Sequence, residues 1–228
     1  MIRIKNGIPR HPLWRMAEPI NLEINRGEQI AIVGDNAAGK SRLVEVLTGH
    51  YPLLLDEVHY DFSPSESPLV SDNLKYISFR DAYGPQDSNY YYQRRWNLGD
   101  QSGEDSPLIT LSSGELRKYQ ITKALATNPR VLIIDNPFIG LDAQTRSDFR
   151  DMLERLTRET ELLVILVLSR RDEIPDFITH VLPVKGLRLM PKMTLGEYRS
   201  SLRAQDPKTL SNSPLKGEEH DASPLRGN

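Results

Sequence analysis

Eight consecutive residues, Gly34-Asp35-Asn36-Ala37-Ala38-Gly39-Lys40-Ser41, place two glycines, a lysine and a hydroxyl at the spacing G-x-x-x-x-G-K-[ST]. Glycine allows the backbone to curl tightly, so that successive N–H groups converge on a phosphate at a helix N-terminus. Lys40 then supplies the counter-charge to β- and γ-phosphates, and the Ser41 hydroxyl can join an Mg²⁺ shell. Asp35, Asn36, Ala37 and Ala38 provide the amides between the glycines, and Arg42 completes the expected nucleotide-binding set. The plainer alternative is a glycine-rich turn that only starts a helix. It is disfavoured by the strand expected before the loop and the helix expected after it.

Three further short segments bear on the same chemistry. Val131-Leu132-Ile133-Ile134-Asp135 is an aliphatic strand ending in a carboxylate, placed to hold Mg²⁺ at the tip of a buried strand beside the loop. Alone, Asp135 would read equally as the start of an Asn136-Pro137 turn. Leu111-Ser112-Ser113-Gly114-Glu115 offers a hydroxyl and a small-residue helix start that a second phosphate contact would need. Ser112 to Glu115 also has the spacing of a plain capping box. Gly140-Leu141-Asp142 is either an interface element or the N-cap of the following helix.

The elements that must position these groups follow from periodicity. Ile20–Ile24 alternates as a half-exposed strand, Asn25-Arg26-Gly27-Glu28 reads as a turn and Gln29–Val33 as the next strand. A helix is expected from about Gly39 to Leu47, ended by Gly49. Strands are predicted at Leu53–Leu55 and Leu74–Ser78, around a Ser/Pro-rich loop at Ser63–Pro68. From about Ala82 to Leu108 apolar periodicity disappears while Tyr90, Tyr91, Tyr92 and Trp96 appear, which marks an inserted, mostly helical lobe extending to about residue 127.

Helices are predicted at Ser113–Thr127 and Ala143–Thr157, the second with Phe149, Met152, Leu153 and Leu156 on one face, and buried strands at Val131–Ile134 and Leu162–Leu168. Thr194-Leu195-Gly196-Glu197 has capping-box spacing and opens a last short helix. Apolar strands alternating with helices argue for an α/β fold, a three-layer α/β/α core on a mostly parallel sheet. An antiparallel β part is expected at the N-terminus. Residues 1–204 read as one domain and 205–228 as a disordered tail, rich in Ser, Pro, Lys and Glu.

Bulk properties narrow the partners. The 228 residues are 38% hydrophobic and 26% charged, enough for one α/β domain with a core. A net charge of −2 gives no electrostatic footprint for nucleic acid, so none is expected as a partner. There is no cysteine, hence no disulfide frame and no thiolate metal site. The longest apolar run, Leu162–Leu168, is far short of a membrane span. Met1–Lys5 lacks the apolar segment of a signal peptide. A cytoplasmic protein is expected, reaching the inner face of a membrane only through a partner.

Together, the phosphate loop, the Leu111–Glu115 segment, Ile133-Ile134-Asp135-Asn136-Pro137 and the Gly140–Asp142 turn resemble the ATP-binding cassette ATPases in kind and in order. The resemblance covers about Ile20 to Pro183. Leu166–Pro175, with a short insert, is most similar to the soluble molybdenum-transport-associated cassettes. The resemblance implies a P-loop NTPase, with ATP and Mg²⁺ as cofactors. It also implies a head-to-tail dimer in which Ser112, Ser113, Gly114, Glu115 and Asp142 meet the nucleotide site of a second cassette. An aromatic is expected to stack on adenine: Trp14, with His11 as the alternative. A membrane permease subunit is the further partner implied, docking on the lobe with Tyr90–Tyr92 and Trp96.

The sequence departs from that family pattern at informative places. The residue after Asp135 is usually a Glu that polarises the attacking water; here it is Asn136, whose amide can orient water but accepts no proton at neutral pH. The usual switch histidine is replaced by Arg170, which can grip a γ-phosphate or pair with Asp172 or Glu173. Ala37 and Ser113 stand where glycines are usual. No Gln fits the entry to the lobe unambiguously; Gln86 and Gln93 are both open. Lys40, Asp135, Asn136 and Arg170 are therefore the expected catalytic group of an ABC-type ATPase whose own site is slow. Two other readings remain: a soluble ATP-dependent switch in translation, transcription or repair, and a non-hydrolysing subunit of a heterodimer.

Overall fold

The computed structural model describes residues 1–55, 57–79, 113–169 and 174–205. The expected lobe up to residue 112, with Gln86, Tyr90–Tyr92, Gln93 and Trp96, lies outside the described residues, as do Ser112, Arg170, Asp172, Glu173 and the tail from 206.

Alternation of charge and aliphatic side chains at the N-terminus builds a strand, β1 (Ile2–Gly7), whose Ile2 and Ile4 are buried. It pairs antiparallel with β2 (Ile20–Ile24) and, on its other side, with β4 (His59–Tyr60). This is the expected antiparallel part. The turn at 25–28 does not fold β2 back on its successor, because β3 (Ile30–Val33) belongs to a separate sheet. There the order is β10-β8-β3-β7-β6-β5, with β9 also on β8. In it β5 (Leu74–Ser78), β6 (Val131–Asp135), β7 (Leu163–Leu168), β3 and β8 (His180–Lys185) run parallel. The short β9 (Arg188–Leu189) and β10 (Met193–Thr194) are antiparallel to β8.

Every residue of β3 and β7 is buried, as expected for strands covered on both faces. Alternate residues divide between two layers. Ile30, Ile32, Ile133, Ile165, Val167 and Leu182 join one core with α1 (Lys40–Leu47) and the small sheet, through Leu43, Val44, Val46, Leu47, Ile4 and Ile20. Ala31, Leu132, Ile134, Val164 and Leu166 point the other way and are equally buried. Beyond them α4 (Ala143–Glu159) carries Phe149, which meets Phe79 and Phe138 edge to face just past the ends of β5 and β6. Helix α3 (Ser113–Leu125) lies against α4 and β5.

One expectation is corrected and one element is added. Leu53–Leu55 forms no strand: Leu53 makes a single antiparallel bridge to Pro9, and Leu55 is 91% exposed. The Ser/Pro-rich loop is followed by a one-turn helix, α2 (Val70–Asn73), which the pattern did not suggest. Residues 180–194, unassigned above, supply three strands; Pro183 and the two-residue lengths of β9 and β10 break the period that marks the others. The chain divides into a unit Met1–Leu195 and a unit Gly196–Asn228. The last helix, α5 (Leu195–Gln205), begins at the boundary.

Candidate nucleotide site at the carboxyl ends of the central strands

The buried strand β3 delivers the chain to Gly34, and the reason for glycine there is proximity. A Cβ at Gly34 would stand 2.2 Å from the Val184 carbonyl oxygen of β8. The left-handed turns lie further on, at Ala37 (φ 61°) and Gly39 (φ 112°). Alanine in that region costs about 1–2 kcal/mol, so the loop is held by its surroundings. The Ala38 carbonyl accepts from the Leu187 N–H at 2.8 Å, and the Leu187 carbonyl accepts from Ala17 N–H at 2.7 Å. Met16 and Leu187 close on Gly39 from behind. Asp35, Asn36 and Ala37 remain exposed.

Helix α1 starts at Lys40 with Gly39 as N-cap, no capping side chain, and no acidic residue in its first turn. Its leading N–H groups lack intrahelical acceptors and sit at the positive end of the helix dipole. Lys40 Nζ folds over the loop and donates to the Gly34 and Asp35 carbonyls at 2.8 and 2.9 Å. Burial lowers its pKa from the ordinary lysine value, opposed by the Asp135 and Asp35 carboxylates. Ser41 is exposed on the same turn. Arg42 is directed elsewhere, donating to the Arg15 carbonyl at 2.6 Å.

Trp14 ends a 3-10 turn, Pro12–Trp14, capped by the His11 ring, whose Nδ1 accepts from Leu13 N–H. The Trp14 ring stacks on Tyr51 with centroids 4.6 Å apart and stays 38% exposed.

Asp135 lies one strand further from the loop than expected, because β7 intervenes between β3 and β6. Registers compensate: Asp135 is level with Val167, which is level with Ile32, so the carboxylate and the phosphate loop emerge at one edge. The Asp135 carbonyl accepts from Phe79 N–H at 2.9 Å, and its Oδ2 accepts from the Tyr76 hydroxyl at 3.2 Å. Burial is the leading cause that raises the Tyr76 pKa, with Asp135 and Glu45 adding to it and the Ser78 hydroxyl opposing it. Asn136 takes a left-handed conformation, φ 52°. Its N–H donates to Val167 O at 2.9 Å, and its Oδ1 accepts from Ser169 Oγ at 3.5 Å.

The third cluster joins α3 to α4. Asp142 is the N-cap of α4, accepting from Thr145 N–H at 2.9 Å and Thr145 Oγ1 at 2.6 Å, and those two bonds hold its carboxyl below the usual range. Gly114 packs on Thr145. Arg117, one turn along α3, is buried, donates to the Ile139 carbonyl and lies 4.8 Å from the Phe79 ring centroid. Glu115, in the first turn of α3, is exposed.

The loop, Lys40, Ser41, Asp135 and Asn136 thus share the carboxyl edge of the sheet, where ligands bind in open α/β folds. Tyr76, Leu187, Val184 and Thr145 were not singled out in the sequence. Each acts through a strand or turn partner distant in the chain, and no local pattern marks it.

A family model described as ABC transporter matches residues 17–139. The ABC transporter ATP-binding protein ModF of Escherichia coli (strain K12) is 34% identical over 181 residues, 69% of this chain and 36% of ModF. The chain spans less than half the length of ModF and of a similar Schizosaccharomyces pombe protein. Among solved structures, cbiO1 from Clostridium perfringens, part of the ABC transporter complex cbiONQ, superposes with a TM-score of 0.65 at 21% identity, over 92% of this chain and 95% of cbiO1. MJ0796, a bacterial ABC transporter cassette solved as a dimer, gives 0.59 at 18% identity, over 86% of this chain and 99% of MJ0796. The P-loop NTPase fold expected from the sequence is the fold of these neighbours.

Proposed function

This chain belongs to the ABC transporter family, and from that premise we propose that it binds MgATP on Gly34–Ser41 and pairs head to tail with a second cassette. It would serve as the ATPase subunit of a transport-type system, its own site turning over slowly.

The observation that carries the binding reading is Lys40, an ammonium held by two loop carbonyls over an uncapped helix start. A triphosphate tail placed there meets that ammonium and the first-turn amides. The donors for a metal also fit. Ser41 and Asp135 offer hard oxygens suited to Mg²⁺. Among the described residues no cluster of three acidic or histidine side chains forms an all-protein cage, in keeping with an ion that shares its shell with phosphates and water. Bound Mg²⁺ would neutralise charge on the β- and γ-phosphates.

Slow turnover rests on Asn136. In the left-handed conformation its amide oxygen meets Ser169, and an amide takes no proton from water. Absence of a general base costs roughly 10²–10⁴ in rate.

Pairing rests on the Gly114–Thr145–Asp142 junction, which holds the start of α3 against the start of α4. Ser112 and the Gly114 N–H would then complete a partner's site. The names of ModF and of the complex containing cbiO1 point to transport. Among the described residues no helix is long and apolar enough to cross a membrane, so a permease on another chain, with this protein peripheral at the inner face, is the matching arrangement. Asn136 equally favours a second reading, a non-hydrolysing subunit of a heterodimer.

Calorimetry with MgATP tests the binding claim; no heat at millimolar nucleotide with folded protein would sink it. Phosphate release by wild type and Asn136→Glu, alone and with a candidate partner cassette, then separates the readings. Ordinary cassette turnover by wild type alone, unchanged in Asn136→Glu, would refute the slow site. No turnover in any mixture would select the non-hydrolysing subunit.

A further inference from the structure

We propose that Tyr76 is a positioning residue for the metal-binding carboxylate, its hydroxyl bonding Asp135 Oδ2 and so fixing the orientation in which that carboxylate addresses the water shell of Mg²⁺. The proposal rests on the MgATP reading above and names a residue through which that site is organised.

Strands β5 and β6 are parallel, with Tyr76 beside Ile133 and Ser78 beside Asp135. Side chains alternate along each strand, so Tyr76, Ser78, Ile133 and Asp135 share one face of the sheet. Tyr76 therefore starts one pleat behind Asp135 and must reach forward along the strands. A phenol is long enough to do so, and its oxygen lies 3.2 Å from Oδ2. A serine or valine at that position would fall short. The ring is a rigid arm with two torsions, and so gives up little rotamer freedom in holding this pose. Just past the end of β5 the Phe79 N–H bonds the Asp135 carbonyl, so the segment 76–79 holds this residue by its main chain as well as its side chain.

The physical consequence is specific. Mg²⁺ demands near-ideal octahedral geometry and surrenders its waters reluctantly, so a carboxylate that addresses it through water must be oriented well. Outer-sphere partners that orient a metal-binding carboxylate are typically worth 10–100-fold in metal affinity. Removing the Tyr76 hydroxyl should leave the phosphate loop, which binds nucleotide through Lys40 and backbone amides, untouched.

The test compares wild type, Tyr76→Phe, Asp135→Asn and the double variant, with ATP binding followed by calorimetry in EDTA and across an Mg²⁺ titration. Phenylalanine keeps the ring and hence the packing. Tyr76→Phe is expected to bind metal-free ATP as wild type does, yet to need about 10-fold more Mg²⁺ for the half-maximal gain in affinity. In the Asp135→Asn background the same change should add nothing. An unchanged Mg²⁺ requirement, an equal loss with and without metal, or an undiminished effect in Asp135→Asn each overturns the proposal. Failure of wild type to bind MgATP would instead overturn the reading on which it rests.

Discussion

Gly114 and Thr145 touch so closely that a Cβ on the glycine would stand 2.4 Å from Thr145 Cγ2. The same threonine gives its hydroxyl to Asp142. The start of α3 and the turn that opens α4 are therefore one mechanical unit. Gly114→Ala should cost about 1–3 kcal/mol by overpacking. Thr145→Ser removes the obstructing methyl but keeps the hydroxyl, so Gly114→Ala/Thr145→Ser should recover most of that loss in urea unfolding. Additive losses would show that the two residues do not meet.

Gly34 poses the harder clash, because the atom in the way is the Val184 backbone oxygen at 2.2 Å, not a side chain that can rotate. Gly34→Ala is expected to destabilise the fold by 2–3 kcal/mol or about that order and to abolish stabilisation by MgATP in thermal melts. Gly27→Ala is the control: at φ 76° with nothing within 4 Å, it should cost only about 1–2 kcal/mol and leave the nucleotide response intact.

Asn136 tolerates φ 52° because a short polar side chain suits the left-handed region. Asn136→Glu should accordingly lose about 1–2 kcal/mol of stability while phosphate release rises on the order of 10²-fold through the restored base. Urea midpoints and steady-state turnover on one preparation read both effects. A stabilised or catalytically unchanged variant would contradict them.

Asp61 gives a pH signature away from the site. The Ser63 hydroxyl and N–H, then Arg26, bring its carboxyl down from 3.8 to about 2. The unfolded carboxyl takes up its proton at the higher pH. The contribution is thus complete above 3.8 and is lost as pH falls toward about 2. Asp61→Asn should flatten that acid limb of the stability curve and leave neutral turnover unaltered; an unchanged limb would rule out this carboxyl as its source.

Some of this protein was settled by local chemistry. The spacing from Gly34 to Ser41, the aliphatic runs of β3, β6 and β7, and the amphipathic face of α4 declare themselves within a few residues, because steric freedom, charge and apolar periodicity are properties of adjacent side chains. What only the tertiary structure decided is which distant atoms those residues face. Gly34 is glycine because of β8, some 150 residues later. Asp135 reaches the loop's edge across an intervening β7, and Tyr76 reaches Asp135 only once β5 and β6 are in register. Asp142, open to two readings in the sequence, makes the cap of α4. Strand order and register arise from packing the whole core, and no stretch of chain carries them alone.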